Sequence, residues 1–270
     1  MRTAKRFTAI VILGVMVCAL VCVTKAEKDG PSSDTVTTQL PLGKQPIVHS
    51  MELGKSVQDR PIRMHVFGWR GPVVLIFAGI HGDEPESQYV ALCLIDYLLV
   101  HQELYADRRI AVMPTANPDG VLQNTRVNAN HIDCNRNFPS SNWKKQRRIN
   151  KFYGGTEPAS EPETRAIMLA MDSLKPTLVI SIHVAMKDSV PFCIDPDGEA
   201  ATKYAEVMSK HSGYPVIEDM GYGTPGSFGT WSGKDKGIPT LTLELRDFQS
   251  WPELWEKHRD ALAAVIGYSG

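Results

Sequence analysis

The stretch Phe77–Ser87, "FAGIHGDEPES", decides how the rest of the chain is read. It closes the run "PVVLIFAGI" (72–80), which is apolar throughout, as in a strand covered on both faces. His81 follows at once, and Glu84 comes three residues later, where a helix is expected to begin. Asp83 as helix cap with Glu86 three positions on forms a capping-box pattern. A histidine and a carboxylate at a strand-to-helix junction stand where open α/β sheets place their sites, beyond the carboxyl ends of the strands.

Outward from this stretch the same alternation recurs. "PIVHSMELG" (46–54) and "RPIRMHVFG" (60–68) read as an edge hairpin, with period-two character in the second. "IAVMPT" (110–115), "TLVISIH" (177–183) and "IPTLTLEL" (238–245) read as further strands. Ser160 with Glu163 marks a second capped helix running to about Leu174, and "WPELWEKHRDALAAVIGY" (251–268) a closing helix. Strands alternating with helices predict an α/β fold: a mostly parallel mixed sheet with helices on both faces. His183 then ends a second strand, and Glu244 lies near the end of a third.

HxxE alone is unspecific in a chain with 8 histidines and 30 acidic residues, and a helix-capping glutamate beside a buried histidine would look the same. A lone His183 would read as a structural core histidine. Taken together, two imidazoles and one carboxylate form a catalytic zinc set that leaves a coordination position open. Glu244 interrupts an otherwise apolar strand, where an unpaired carboxylate is costly; that favours a functional role over a surface one.

Composition sets the limits. The 270 residues are enough for one sizeable α/β domain; they are 43% hydrophobic and 22% charged, with a formal net charge of -1. No long basic stretch or aromatic–basic interleaving suggests nucleic acid. "MRTAKR" followed by the 17-residue apolar run Phe7–Val23 and "TKA" (24–26) predicts a signal peptide over 1–26 or, uncleaved, an N-terminal membrane tether. A lipoprotein signal at Cys22 is disfavoured by bulky Val21. Cleavage would remove Arg2, Lys5, Arg6 and Lys25 and no acid, leaving 25 basic and 30 acidic residues, a net of -5. Residues 27–45 read as a linker and 46–270 as the catalytic domain. Cys93, Cys134 and Cys193 then remain, an odd count that is no disulfide framework, though one bridge is left open.

Five segments in order carry a resemblance to the zinc carboxypeptidase family: "HGDE" (81–84), "NPDG" (117–120), "TRVNANHIDCNRNFP" (125–139), "SIH" (181–183), and "YGTPGSFGTW" (222–231) followed by "GIPTLTLELRD" (237–247). The resemblance spans nearly all of 46–270. It implies one zinc per chain on His81, Glu84 and His183, with Glu244 as catalytic base. It also implies that Arg126 stabilises the oxyanion and that Asn135, Arg136 and Tyr222 hold a substrate carboxylate. Asp133 would orient His81, and Arg246 would contact substrate further from the scissile bond. Gly229, seven positions after Tyr222, would lie at the pocket floor and leave room for a long side chain.

Within the family, "GYGTPGSFGTW" and "CIDPDG" are similar to the murein peptide amidase branch. That branch cuts the γ-D-glutamyl–meso-diaminopimelate bond of cell-wall peptides, so the expected partner is a peptidoglycan-derived peptide. With the N-terminus this places the chain outside the cytoplasm, in the periplasm or cell-wall space. Lys187 and Arg246 would meet the extra carboxylates of such a peptide. Three alternatives stand beside it: a metallocarboxypeptidase on ordinary C-terminal residues, a deacylase of the succinylglutamate desuccinylase or aspartoacylase type, and a non-catalytic wall-binding module. "YGTPGSFGTW" argues against the deacylase, and the complete ligand set with Glu244 against the module. Trp143 and "KKQRR" (144–148) read as an exposed loop, and Trp251 and Trp255 as packing residues.

Overall fold

The computed structural model describes residues 48–145, 151–185, 192–218, 221–247 and 249–268. The predicted signal or anchor (1–26), the linker (27–45), Lys187 and residues 146–148 of the basic run lie outside the described residues. Among the described residues no helix is long and apolar enough to cross a membrane.

Among the described residues seven strands form one sheet: β1 Val48–Lys55, β2 Pro61–Phe67, β3 Val73–Phe77, β4 Arg109–Met113, β5 Leu178–Ala185, β6 Cys193–Pro196 and β7 Thr240–Arg246, in the order β1-β2-β4-β3-β5-β7-β6. The centre, β4-β3-β5-β7, is parallel, and β1, β2 and β6 run antiparallel at the two margins. Every residue of β3 and β5 is buried, the burial that the continuous apolar runs called for. The helices are α1 Pro85–Val100, α2 Pro118–Gln123, α3 Pro162–Leu174, α4 Thr202–Ser212 and α5 Trp251–Gly267.

Strand alternation sorts the core into two layers. Ile180, Ile182 and Val184 of β5, with Leu241, Leu243 and Leu245 of β7, pack against α1, α4 and α5. Val179 faces the opposite layer with Phe138, Phe228, Trp231 and the buried residues of α3. Each fully buried Leu, Ile or Phe contributes roughly 1.5–3 kcal/mol, so both layers hold the sheet against the helices. Period two then puts Ser181, His183, Thr242 and Glu244 on the second face, where the packing gives way to polar groups.

The helix starts differ from expectation. Asp83 is exposed and does not cap; α1 begins at Pro85, with Glu84 in the cap position and no side-chain cap. α3 begins at Pro162 after Glu161, again without a side-chain cap, while the Ser160 hydroxyl donates to the Glu161 carboxylate at 2.7 Å. Proline at the first helical position sets the helical φ and has no N–H to satisfy, which lowers the need for a cap. The edge strand β6 and helix α4 were not anticipated from the pattern. Cys93, Cys134 and Cys193 are all free thiols.

Candidate active site

The first site loop is built by close backbone packing. A methyl on Gly82 would lie 1.9 Å from the carbonyl carbon of Gly120, so neither "HGDE" nor "NPDG" tolerates a side chain there. The Asn117 carboxamide accepts from the Gly120 N–H at 2.9 Å and donates to the Ile80 carbonyl at 3.2 Å. The Gly82 N–H donates to the Thr125 carbonyl at 3.0 Å. The two motifs are therefore one seat, and it holds His81 just past the end of β3.

His183 comes from β5, the parallel neighbour of β3, and lies opposite Glu244 of β7 in the β5–β7 register. Three adjacent strands thus deliver His81, His183 and Glu244 to one end of the sheet. Glu84 reaches both rings: Oε1 is 2.7 Å from His81 Nδ1, and Oε2 is 3.1 Å from His183 Nδ1. The two Nδ1 atoms stand 3.2 Å apart, and the possible ligand atoms of His81, Glu84 and His183 all fall within 4.8 Å of one another. Two ring nitrogens face each other across a carboxylate with all three residues buried. That donor set suits a dication and fits the two-histidine, one-glutamate pattern of catalytic zinc.

A supporting layer fixes these groups. His81 Nε2 lies 3.1 Å from Asp133 Oδ1, which also accepts the Asn135 N–H at 3.0 Å. With that proton on Nε2, Nδ1 keeps its lone pair for a metal. Asp133 Oδ2 accepts from Arg126 Nε at 2.9 Å, and Arg126 Nη1 is 3.4 Å from Glu84 Oε1. The Arg126 guanidinium also lies over the Phe152 ring at 5.1 Å. Burial alone would raise the carboxyl pKa of Asp133, but Arg126 and His81 outweigh it and hold the group well below the usual range. Glu84 is likewise lowered, because His81 and His183 overcome its desolvation. Burial and Arg126 pull the His81 pKa down, and Glu84 and Asp133 together raise it.

Glu244 is placed on different terms. It is half-buried, and desolvation, followed by the Glu84 charge against the pull of His183 and Arg126, pushes its pKa up to about 7. Tyr222 lies in the 221–227 loop, 42% exposed, with its phenol pushed up to about 12 by partial burial and then by Glu244. Arg136 is buried, its pKa drawn down by that burial, and donates to the Asn135 carbonyl at 2.7 Å. The Asn135 side chain accepts the Phe228 N–H at 2.9 Å and approaches His183 Nε2 at 3.4 Å. Arg246 is exposed, with its guanidinium 4.0 Å over Phe192.

Gly229 does not front the open room expected of it. A methyl there would lie 2.0 Å from Asp197 Oδ1, so a carboxylate occupies that space. Asp197 is buried, accepts from Thr242 Oγ1 at 2.7 Å, and is pushed up to about 6 by desolvation, with Lys234 pulling the other way. Asp195 stands opposite Thr242 in the β6–β7 register. Asp197 and Phe152 were not singled out from the sequence; the only mark of Asp197 is the "DPDG" turn closing β6. Trp143 is half-buried beside exposed Lys144 and Lys145.

Comparison with known proteins adds four observations. The sequence profile described as zinc carboxypeptidase matches residues 39–254. Murein peptide amidase A of Escherichia coli strain K12 is 32% identical over 203 residues, covering 71% of this chain and 78% of the relative. The crystal structure of murein-tripeptide amidase from Escherichia coli O157 superimposes with a TM-score of 0.65 at 29% identity, covering 82% of this chain and 92% of that one. Bovine thrombin-activatable fibrinolysis inhibitor shares the fold, with a TM-score of 0.68 at 23% identity over 82% of this chain and 88% of that one.

Proposed function

The chain belongs to the zinc carboxypeptidase family and is a zinc-dependent peptide hydrolase, and from that premise we propose that it hydrolyses the γ-D-glutamyl–meso-diaminopimelate bond of peptidoglycan stem peptides. The observation that carries this reading is the Asp197 carboxylate packed against Gly229, with Lys234 acting on it. A neutral C-terminal side chain would bury against this carboxylate without meeting its charge, at a cost. The diaminopimelate side chain instead ends in an ammonium and a carboxylate, which meet Asp197 and Lys234 respectively. Similarity to murein peptide amidase A supports the same substrate.

Zinc, when bound, supplies Lewis acidity, lowering the pKa of water toward ~7 and polarising a carbonyl. Glu244, with a pKa near 7, takes the proton of the attacking water and passes it to the leaving amine. Arg126, held by Asp133 and Glu84, meets the negative charge that develops on the carbonyl oxygen. Arg136, Asn135 and the protonated Tyr222 hold the free carboxylate beside the scissile bond. Arg246, at the end of β7, contacts substrate further out. The charged start, apolar run and "TKA" support export to the periplasm or cell wall, with a mature chain beginning near Glu27. N-terminal sequencing of the native protein checks this; an intact Met1 would overturn it.

The substrate test compares the stem tripeptide, its form amidated at the carboxylate beside the scissile bond, and a peptide with an ordinary C-terminal residue. Charge-assisted bonds are worth about 1.5–3 kcal/mol each, so amidation should cost at least tenfold in kcat/KM. Asp197→Asn should lower cleavage of the tripeptide more than that of the ordinary peptide. Faster cleavage of the ordinary peptide by the wild type overturns the murein reading.

A further inference from the structure

Phe152 is a half-buried aromatic residue that belongs to neither apolar layer of the core. Three cations approach its ring. The Arg126 guanidinium carbon lies 5.1 Å from the ring centroid, that of Arg136 5.9 Å, and Lys151 Nζ 5.5 Å. Backbone contacts bring the ring there. The Tyr153 carbonyl accepts the Asp133 N–H at 2.8 Å, and the Gly154 carbonyl accepts from Asn137 Nδ2 at 2.9 Å. A methyl on Gly154 would lie 2.1 Å from the Arg136 carbonyl oxygen, so residues 153 and 154 run directly against the segment that carries Asp133, Asn135 and Arg136.

In the reaction proposed above Arg126 and Arg136 meet two parts of one substrate, and both are buried. Arg126 is ion-paired to Asp133 and Glu84. Among the described residues no ion pair joins Arg136 to a carboxylate; Asp133 favours its charge from further off, and Arg126 opposes it. Like charges away from water repel strongly, so the second guanidinium needs a partner. A carboxylate would serve by occupying the N–H fork with which Arg136 takes the substrate. An aromatic face attracts a guanidinium within about 6 Å through the ring quadrupole and uses none of its in-plane N–H donors.

Resting on those roles of Arg126 and Arg136, we propose that Phe152 is a positioning residue for both: its π system holds the oxyanion donor and the carboxylate clamp as charged neighbours without taking a donor from either. Its loss then acts in two places. At Arg136 it weakens a contact made by substrate and transition state alike, which raises KM. At Arg126 it weakens a contact made as charge develops, which lowers kcat. A ring that only filled space would do neither in proportion to its electron density.

Phenylalanine carrying one, two or three fluorines at position 152 draws density from the π face with little change of shape. Steady-state kcat and KM are measured with these proteins, with Phe152→Leu and with Phe152→Trp, on the stem tripeptide and on the peptide with an ordinary C-terminal residue. The expected results are a stepwise fall in kcat/KM with each fluorine and a loss of about tenfold in Phe152→Leu, divided between kcat and KM. Phe152→Trp should recover most of that loss, because indole is the stronger cation binder. A flat fluorine series in a protein that cleaves either peptide overturns the positioning role, and so does a Phe152→Leu protein with wild-type kcat and KM. A stepwise series on the ordinary peptide, with the tripeptide left uncleaved, overturns the murein reading and leaves the role of Phe152 standing.

Discussion

The two faces of this sheet bury ionisable groups on opposite terms. On the site face, His81, Glu84, Arg126, Asp133 and His183 are almost wholly removed from water, and each is hydrogen-bonded or ion-paired to another. On the opposite face His258 of α5 is wholly buried beside Tyr214, ring centroids 4.5 Å apart, with neither ring nitrogen hydrogen-bonded among the described residues. Burial, and then Lys257, lowers its pKa to about 4. Burial by itself thus discharges an ionisable side chain, and charge survives only where a network meets it. Buried ion pairs seldom stabilise a fold more than apolar packing would, so a whole cluster of them marks function.

The sharpest way to break this comparison is Glu244→Gln. Removing a general base should cost about 10²–10⁴-fold in kcat, while zinc content stays at one per chain because Glu244 is not in the ligand set. Loss of zinc in that variant, read by elemental analysis, would put Glu244 among the ligands and dissolve the distinction between holding the metal and moving the proton. Next in size is Asp133→Asn. It weakens the acceptor for His81 and leaves Arg126 without its charged partner, so zinc affinity should fall about 10–100-fold in chelator competition. Unchanged affinity would reduce the network to scaffolding.

The smallest effect belongs to the other face. His258 has a folded pKa below its unfolded value of about 6.5, so the unfolded chain binds the extra proton first. Its contribution is fully present above pH 6.5 and is lost as pH falls toward 4. Between pH 7 and pH 5 that loss is roughly 2 kcal/mol. Urea unfolding of wild type and His258→Leu at both pH values isolates it, because other groups cancel in the difference. Equal pH slopes in the two proteins would show that His258 finds a partner after all.

Much of this was legible in the sequence because strands buried on both faces are written as unbroken apolar runs. β3, β5 and β7 follow from "VVLIF", "LVISIHVA" and "TLTLELR", and the polar residues at their ends follow from the breaks in those runs. Local signals served less well at helix starts. Asp83 had the right chemistry for a cap, but Pro85 begins α1 and Glu84 is drawn to the histidines instead. Asp197 was illegible for another reason. It is one acid among 30, and its burial comes from Gly229 and Thr242, which approach only after β6 and β7 have paired.

The distance along the chain between the ligands has a consequence for folding. His183 lies 102 residues from His81 and 99 from Glu84, and the two halves meet only when β5 docks beside β3. Parallel neighbours joined by so long a crossover form late, since loop closure must come before the contacts that reward it. A partly synthesised or unfolded chain holds at most two of the three groups near each other, so the metal has nothing to discriminate for until the sheet is complete. To the extent that zinc binds the completed site and not the unfolded chain, it draws the population toward the native side, by about 4.1 kcal/mol at a free concentration 1,000 times its dissociation constant.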